Sequence, residues 1–219
     1  MDKKALTAEM IGTFALCFGG ILSIHNSTGN LLIPALAHGL IIAIFASAFG
    51  AISGGHFNPA VTIAMMVSKR IKPDLGLGYI IAQVVGGALA GFAVIACGLN
   101  VDVVVTGTPA LGEGVSVVSA IVAEAIATSF LLFAILGTAV DKRAPKVGGL
   151  FIGLAVMIDI LAIGPITGAA MNPARWLGPT LVKIHNVGLA AVYFAGPIIG
   201  AIIAVLIYDK ILAPDQTSE

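Results

Sequence analysis

Charged residues are scarce in this chain of 219 residues, since Asp, Glu, Lys and Arg together make up only 10%. A water-soluble domain carries about 25% of them, so the composition argues against a soluble globule. The 11 basic residues balance the 11 acidic ones, which leaves no basic surplus for binding nucleic acid. Two cysteines exclude a disulfide-stapled scaffold. The chain also lacks the residue patterns of an enzyme, so we expect no catalytic residues, no cofactor and no metal.

Apolar residues and glycine are abundant instead. Hydrophobic residues make up 58% of the chain, and the mean hydropathy is +1.07. Glycine accounts for 27 residues, about twice its usual share of roughly 7%, which is typical of closely packed transmembrane helices. Six apolar runs come near the roughly 20 residues that cross a bilayer; they are 5–24, 34–52, 76–98, 115–137, 147–164 and 188–212. The sequence therefore predicts an all-α membrane protein with six transmembrane helices.

Basic residues fall mostly on one side of these predicted spans. With the N-terminus inside, the inner positions are Lys3, Lys4, Lys69, Arg70, Lys72, Lys142, Arg143, Lys146 and Lys210. Only Arg175 and Lys183 lie outside. This asymmetry satisfies the positive-inside rule and predicts cytoplasmic termini; the expected location is the plasma membrane of a prokaryote. A signal peptide is the competing interpretation of 5–24, but Glu9 lies within that run and no small-residue cleavage site follows.

The two halves of the chain, about 5–98 and 115–212, resemble each other. Each contains an Asn-Pro-Ala triplet, at 58–60 and at 172–174. Several residues recur at nearly the same offsets from the two triplets: Glu9 and Glu124, Tyr79 and Tyr193, Gly86 and Gly200. Because each half has three spans, the second half enters the membrane from the opposite side. We therefore expect a single channel domain over 1–219, built as an inverted repeat with a site between its halves.

Two further apolar runs, near 58–68 and 172–183, begin at the triplets and are too short to span. Asparagine is a favourable N-cap and proline suits the first helical turn, so each run is predicted to be a half-helix. The triplets could be ordinary helix starts, but two copies in register favour a shared function. The triplet residues are Asn58, Pro59, Ala60, Asn172, Pro173 and Ala174.

Electrostatics indicates what this shared function is. The N-terminus of each half-helix carries about half a positive charge, and the asparagine amides can donate hydrogen bonds into a passage. Two such ends meeting at the membrane centre would pass a neutral, hydrogen-bonding molecule and reject protons and cations. Arg175 follows the second triplet and is either a pore residue or a side chain that reaches the outer surface. Gly54, Gly55 and Gly168 allow tight turns before the half-helices.

The sequence resembles an aquaporin of the major intrinsic protein family. The motifs that carry the resemblance are AEMIGTF at 8–14, SGGHFNPAVT at 53–62, Gln83, MNPAR at 171–175 and GPIIG at 196–200. The resemblance implies a fold of six tilted helices and two half-helices in the lipid bilayer, assembled as a homotetramer with one pore per subunit. Water and small neutral solutes are the partners it implies.

The same resemblance places a selectivity constriction at His38, Ile160, Ala169 and Arg175. Strict water channels of the family carry Phe at the first position and His at the second, and this chain departs from both. The combination resembles plant tonoplast intrinsic proteins, and the Ile resembles an archaeal aquaporin of broader permeability. It implies that ammonia or urea passes as well as water.

Two other functions stay open at this point. A glycerol facilitator of the family carries Asp after the Arg and a basic residue four positions later, where this chain has Trp176 and Thr180. The pair Tyr193-Phe194 fits the water-channel pattern better. A secondary transporter with inverted repeats is the more distant alternative, because coupled transport needs ionisable groups at the membrane centre.

The remaining polar residues of the predicted spans need partners. A buried carboxylate requires hydrogen-bond donors, so Glu9 and Glu124 are interpreted as braces for the two loops before the half-helices, with proton coupling as the alternative. His56 is expected to orient loop carbonyls, or else to gate the pore. Trp176 is expected to pack near the pore rather than anchor at the interface. The sequence offers no firm role for Asp159.

Overall fold

The computed structural model describes residues 2–145 and 147–213, and in these ranges the chain is helical with no β-strand. Lys146, one of the inner basic positions, and the tail from 214 lie outside the described residues. The helices in chain order are α1 (Lys3–Asn26), α2 (Leu32–Ser53), α3 (Pro59–Val67), α4 (Pro73–Ala96), α5 (Val101–Thr106), α6 (Val117–Ile135), α7 (Gly148–Thr167), α8 (Pro173–Val182) and α9 (Ala190–Ile207).

Six of these helices are long and apolar enough to cross a membrane, namely α1, α2, α4, α6, α7 and α9. The predicted all-helical class with six spans is confirmed. The helices extend a few residues beyond several predicted runs, and α6 and α9 each end in a π-helical turn, Leu136–Val140 and Tyr208–Leu212. The short helix α5 is an addition, because the sequence indicated only a loop between the third and fourth spans.

The half-helices α3 and α8 begin as their local chemistry dictates. Asn58 is extended, with φ −154° and ψ 120°, and its Oδ1 accepts a hydrogen bond from the backbone N–H of Ala60 at 2.9 Å. Asn172 has the same conformation, and its Oδ1 accepts from Ala174 N–H at 3.0 Å. Proline occupies the first turn of each helix, where its missing N–H removes no hydrogen bond.

The helices that lead to these starts end on left-handed glycines. Gly54, after α2, has φ +89°, and Gly168, after α7, has φ +73°. Such values favour glycine because a Cβ would clash with the backbone. Both glycines let the chain leave its span abruptly and turn toward the membrane centre.

Packing pairs the helices across the repeat. The most extensive contacts join α1 with α4, α6 with α9, and α2 with α7, so the first two pairs are equivalent and the third joins the halves. At that central contact a Cβ on Gly39 would lie 2.7 Å from the carbonyl oxygen of Gly153. The absence of side chains there lets two backbones approach closely. This close approach joins the two halves of the repeat.

The outer surface of the bundle is apolar. Large hydrophobic side chains on the spans are exposed, among them Ile44 at 61%, Leu77 at 60% and Val118 at 72%. A soluble monomer rarely exposes so continuous an apolar surface. Lipid is the environment that fits it.

Candidate pore

The loop before α3 is held by one buried carboxylate. Glu9 of α1 is fully buried, and Phe57 N–H donates to its Oε2 at 2.6 Å while His56 N–H donates to its Oε1 at 2.9 Å. Ser53 Oγ and Gln83 Nε2 also donate to this carboxylate, each at 2.7 Å. Four hydrogen-bond donors therefore satisfy a carboxylate that is buried away from water.

The second half repeats this arrangement with three donors instead of four. Glu124 of α6 is fully buried and accepts from Met171 N–H at 2.6 Å and from Ala170 N–H at 2.9 Å. Thr167, which corresponds to Ser53, donates to Glu124 at 2.6 Å. The carboxylates thus occupy the places that the predicted bracing role requires, and neither lines a cavity of the channel.

The tyrosines at matching offsets hold the ends of the preceding spans. Tyr79 donates to the carbonyl of Ser53 at 2.8 Å, and Tyr193 donates to the carbonyl of Thr167 at 2.8 Å. The sequence indicated these tyrosines only as repeat positions. Their hydroxyl groups donate to the last carbonyls of α2 and α7, which have no hydrogen-bond partner within the helix.

The two triplets meet at the centre of the molecule. Asn58 Nδ2 donates to the carbonyl of Met171 at 2.8 Å, and Asn172 Nδ2 donates to the carbonyl of Phe57 at 2.8 Å. The two carbonyl-bearing residues have φ values of +50° and +49°, a left-handed conformation that is rare for residues with a side chain. Each loop therefore holds the other in a strained shape, and each amide keeps a second N–H group.

A narrow cavity of about 40 Å³ runs past this centre. Its walls include both triplet asparagines and the four predicted constriction residues: His38, Asn58, Ile160, Ala169, Asn172 and Arg175. It adjoins a cavity of about 330 Å³ on the side where α1 ends, called outer here, and one of about 430 Å³ on the inner side. His38 and Ile160 line both the narrow and the outer cavity, whereas His56 and Val61 line both the narrow and the inner one.

Arg175 is buried in the constriction and does not reach for the outer surface. Its side chain belongs to a residue only 3% exposed. Nη2 donates to the carbonyl of Gly107 at 2.7 Å, and Nε donates to Nε2 of His38 at 3.3 Å. Nη1 has no hydrogen-bond partner among the described residues. Both N–H groups of Nη1 are thus buried without an acceptor in the described part of the chain.

His56 differs from its predicted role. Its ring nitrogen Nδ1 lies 3.0 Å from Oγ1 of Thr62, and the ring packs edge-on against Tyr79 at 5.3 Å. The bond that holds the loop comes from the backbone N–H of His56 to Glu9. The ring therefore contacts α3 and α4 and lines the passage, rather than orienting a loop carbonyl.

The structure shows the surroundings of Trp176 and Asp159, which the sequence left open. Trp176 is 2% exposed and stacks on Tyr193, with ring centroids 5.3 Å apart, so it packs inside the bundle as expected. Asp159 is 3% exposed, and its Oδ2 has no hydrogen-bond partner among the described residues.

Sequence reasoning missed three residues that shape the pore. Gly107, in the segment after α5, supplies the carbonyl that holds Arg175. Gly20 of α1 leaves room for the ring of His38, which a Cβ there would overlap. Oγ1 of Thr62 accepts a hydrogen bond from Nε2 of Gln83 at 3.0 Å, and this bond links α3 to α4. No sequence signal marks a backbone carbonyl as a ligand, whereas the glycine content of the chain did indicate closely packed helices.

Ionic contacts tie the helix ends at the inner side. Arg70 donates two hydrogen bonds to Asp209 at 2.7 and 2.9 Å, and these bonds raise the pKa of Arg70. Asp141 accepts from Arg143 Nη2 at 2.6 Å and from Tyr208 at 2.9 Å. The hydrogen bonds from Arg143 are the main reason that the pKa of Asp141 lies below its usual range.

Comparison with known proteins gives a consistent result. Residues 1–208 match the family model described as Major intrinsic protein. The chain is 40% identical to Aquaporin TIP4-4 from Zea mays, over 94% of this chain and 85% of that protein. It is 39% identical to Glycerol uptake facilitator protein-like 6 from Lactiplantibacillus plantarum, over 90% and 93% respectively.

A solved structure shows the same fold. The aquaglyceroporin from Plasmodium falciparum superposes with a TM-score of 0.87 and 23% identity, covering 98% of each chain. At this identity the likeness concerns the fold alone. The aquaporin-like arrangement predicted from the two triplets is therefore confirmed.

Proposed function

We propose that this chain conducts water together with small neutral solutes such as ammonia or urea. The chain belongs to the major intrinsic protein family of passive membrane channels, and the proposal proceeds from that membership. The observation that carries the proposal is the pair of crossed hydrogen bonds of Asn58 and Asn172 at the wall of a cavity of only about 40 Å³. A cavity of about 10–15 Å³ suffices for one water molecule. The constriction thus has room for a few water molecules.

Proton and cation exclusion follows from the central amides. Each asparagine uses one N–H for the opposite loop and keeps the other for the passage. A water molecule that accepts from both amides has its lone pairs occupied, so it cannot take a proton from the next molecule in the file. The positive ends of α3 and α8 raise the energy of any cation at the same point.

The constriction sets the range of solutes. Arg175 contributes a fixed positive charge at the cavity wall, while Ile160 contributes an apolar wall where strict water channels carry histidine. An apolar wall at this position leaves fewer polar groups to hold water in preference to ammonia or urea. The relative from Zea mays named an aquaporin supports water as one of the solutes.

Glycerol is the alternative solute. The names of the Lactiplantibacillus plantarum relative and of the Plasmodium falciparum structure favour it. Against it stands the narrow cavity, and Trp176 and Thr180 occupy the positions where a facilitator carries acidic and basic residues. Coupled transport is less well supported, because Glu9 accepts from four donors and Glu124 from three, and neither lines a channel cavity.

Shrinkage of proteoliposomes made with the full chain tests the proposal. Water, ammonia, urea and glycerol are compared in one series, without an ion gradient. We expect a small temperature dependence for water, measurable ammonia or urea flux and little glycerol flux. The double variant His38→Phe with Ile160→His should reduce ammonia and urea flux more than water flux. Equal loss of every flux, or a need for a proton or sodium gradient, would contradict the proposal.

We also propose a homotetramer with both termini in the cytoplasm of a prokaryotic cell. The charge asymmetry of the loops supports this orientation. It predicts that Cys97, exposed at the end of α4, faces outward, whereas Cys17 is buried and serves as an internal control. A membrane-impermeant maleimide should label intact spheroplasts at Cys97 only. Labelling that requires lysis would reverse the orientation, and a monomeric mass in detergent would argue against the tetramer.

A further inference from the structure

The polar side chains around the outer cavity share one property. Among the described residues that line its volume of about 330 Å³, these side chains are Ser27, His38, Thr106 and Thr108, and none of them has a proton left for a solute. We propose that the outer cavity binds urea through its NH2 groups before urea enters the constriction. This inference rests on the proposed function, and it names urea rather than ammonia as the solute recognised there.

The hydroxyl protons of the outer cavity are already engaged within the chain. Ser27 Oγ, Thr106 Oγ1 and Thr108 Oγ1 donate to backbone carbonyls three or four residues earlier, at 2.8, 3.0 and 2.7 Å. A hydroxyl group has a single proton and two lone pairs. Each of these oxygens can therefore accept a hydrogen bond from a solute but has no proton to offer it.

His38 adds no donor to this set. Its Nδ1 donates to the carbonyl of Pro34 at 2.7 Å, and its Nε2 accepts from Nε of Arg175 at 3.3 Å. A neutral imidazole has a single N–H group, and here that group is used. In the described part of the chain, the side chains of the lining thus offer acceptors to a solute and no donors.

A set of acceptors favours a solute that is rich in N–H groups. Urea carries two NH2 groups on opposite sides of its carbonyl carbon, so it can donate to several oxygens at once. Ammonia presents its protons from a single atom, and a hydroxyl group of glycerol offers one proton where an NH2 group offers two. An ammonium ion also has N–H groups, but the positive charge of Arg175 beside the cavity repels it.

The donors of the passage lie further in, at the two triplets. Asn58 and Asn172 each keep a second N–H group there, and the positive ends of α3 and α8 meet at the same place. Both features attract the carbonyl oxygen, which is the negative end of urea. A urea molecule whose NH2 groups contact the outer hydroxyl oxygens therefore enters the constriction with its carbonyl foremost.

Urea flux through proteoliposomes of the full chain, measured over a range of urea concentrations, tests this site. We expect the flux to saturate in the unmodified protein. The triple variant Ser27→Ala, Thr106→Val, Thr108→Val removes the three oxygens and nearly keeps the side-chain shapes. One hydrogen bond corresponds to roughly two- to tenfold in affinity, so the half-saturating urea concentration should rise roughly tenfold or more. The ratio of urea to water permeability should fall with it.

A second triple variant is the matched control. Thr7→Val, Ser129→Ala, Thr138→Val removes hydroxyl groups that also donate to carbonyls three or four residues earlier. These three residues line neither the narrow, the outer nor the inner cavity. The control should keep the half-saturating concentration and the permeability ratio of the unmodified protein.

Competition on the unmodified protein makes the test independent of whether a variant folds. Acetamide has one NH2 group, and acetone, which has nearly the same shape, has none. Acetamide in excess should slow the flux of labelled urea, whereas acetone should not.

The possible failures of these experiments are distinct. Equal inhibition by acetamide and acetone would overturn the urea site and leave the proposed channel intact, as would a urea flux that is proportional to concentration and equal in the two triple variants. A loss of ammonia flux with unchanged urea flux in the cavity variant would assign the cavity to ammonia and exclude the urea site. Water flux without any urea flux would instead overturn the proposed solute range, and the urea site with it.

Discussion

The guanidinium of Arg175 determines the tautomer of His38. Arginine has only donors, so the 3.3 Å contact from its Nε makes Nε2 of His38 an acceptor. The proton of the neutral ring therefore sits on Nδ1, which donates to the carbonyl of Pro34 at 2.7 Å. Both ring nitrogens are used, and the ring is fixed at the constriction. A histidine held in this way acts as a wall of defined shape.

This fixed ring predicts that Gly20→Ala closes the constriction. A methyl group on Gly20 would overlap the ring of His38, so the ring has to shift within the constriction. We expect most of the water permeability to be lost, with a decrease in stability of about 1–3 kcal/mol from overpacking. Stopped-flow light scattering of proteoliposomes measures the permeability. Gly50→Ala, on a glycine with open space around it, is the control, and equal permeabilities of the two variants would refute the assignment.

The crossed loops predict a large effect of Glu9→Gln. A glutamine cannot accept from all the donors around Glu9, because its Nε2 would replace one carboxylate oxygen and face the N–H group of either His56 or Phe57. Leaving a buried donor without an acceptor costs about 1–3 kcal/mol. We expect a lower unfolding temperature and a lower water permeability, since the loop positions Asn172 through the carbonyl of Phe57.

The second carboxylate and a surface one serve as comparisons. Glu124→Gln should behave like Glu9→Gln, because two backbone N–H groups donate to Glu124, one to each oxygen, as they do to Glu9. Glu113→Gln, at an exposed position, should change neither stability nor permeability. If Glu9→Gln matched Glu113→Gln, the bracing role would be wrong.

Local chemistry explains how much of this fold the sequence predicts. The starts of α3 and α8 depend on an asparagine cap and a following proline, and the ends of α2 and α7 depend on Gly54 and Gly168. These are short-range preferences that a single sequence displays twice. The spans follow equally from apolar length.

What escaped prediction depends on contacts between distant segments. The carbonyl of Gly107 that holds Arg175 is a group that every residue carries, so nothing in the sequence distinguishes it. The partner of the His56 ring, Thr62, follows from how α3 packs against the loop. The helix α5 is too short, at six residues, to show a periodicity distinct from that of a loop.

The inner ion pairs predict an acid-sensitive stability. Hydrogen bonds from Arg143 hold the pKa of Asp141 below its usual range, whereas an unfolded Asp titrates near 3.9. Their contribution is therefore complete above about pH 4 and is lost as the pH falls through the folded-state value. In the range below about pH 4, we expect the unfolding temperature of the unmodified protein to decrease with falling pH more steeply than that of Asp141→Asn. Arg143→Gln should flatten the profile in the same way, and parallel profiles for all three proteins would exclude this origin.

We predict that the carboxyl group of Asp159 can be removed from the bundle without loss of stability. It lies 13 residues before Asn172, and the matching position in the first half is Phe45, a residue that packs against the hydrophobic core. Because Oδ2 of Asp159 has no partner among the described residues, Asp159→Leu should leave stability unchanged or raise it by up to about 1–3 kcal/mol. Thermal unfolding followed by the fluorescence of Trp176, the single tryptophan, measures this. Asp159→Asn keeps the polar group and should give no gain, and water permeability should stay constant in both. A lower unfolding temperature for the leucine variant alone would mean that the carboxyl group serves a partner at that position.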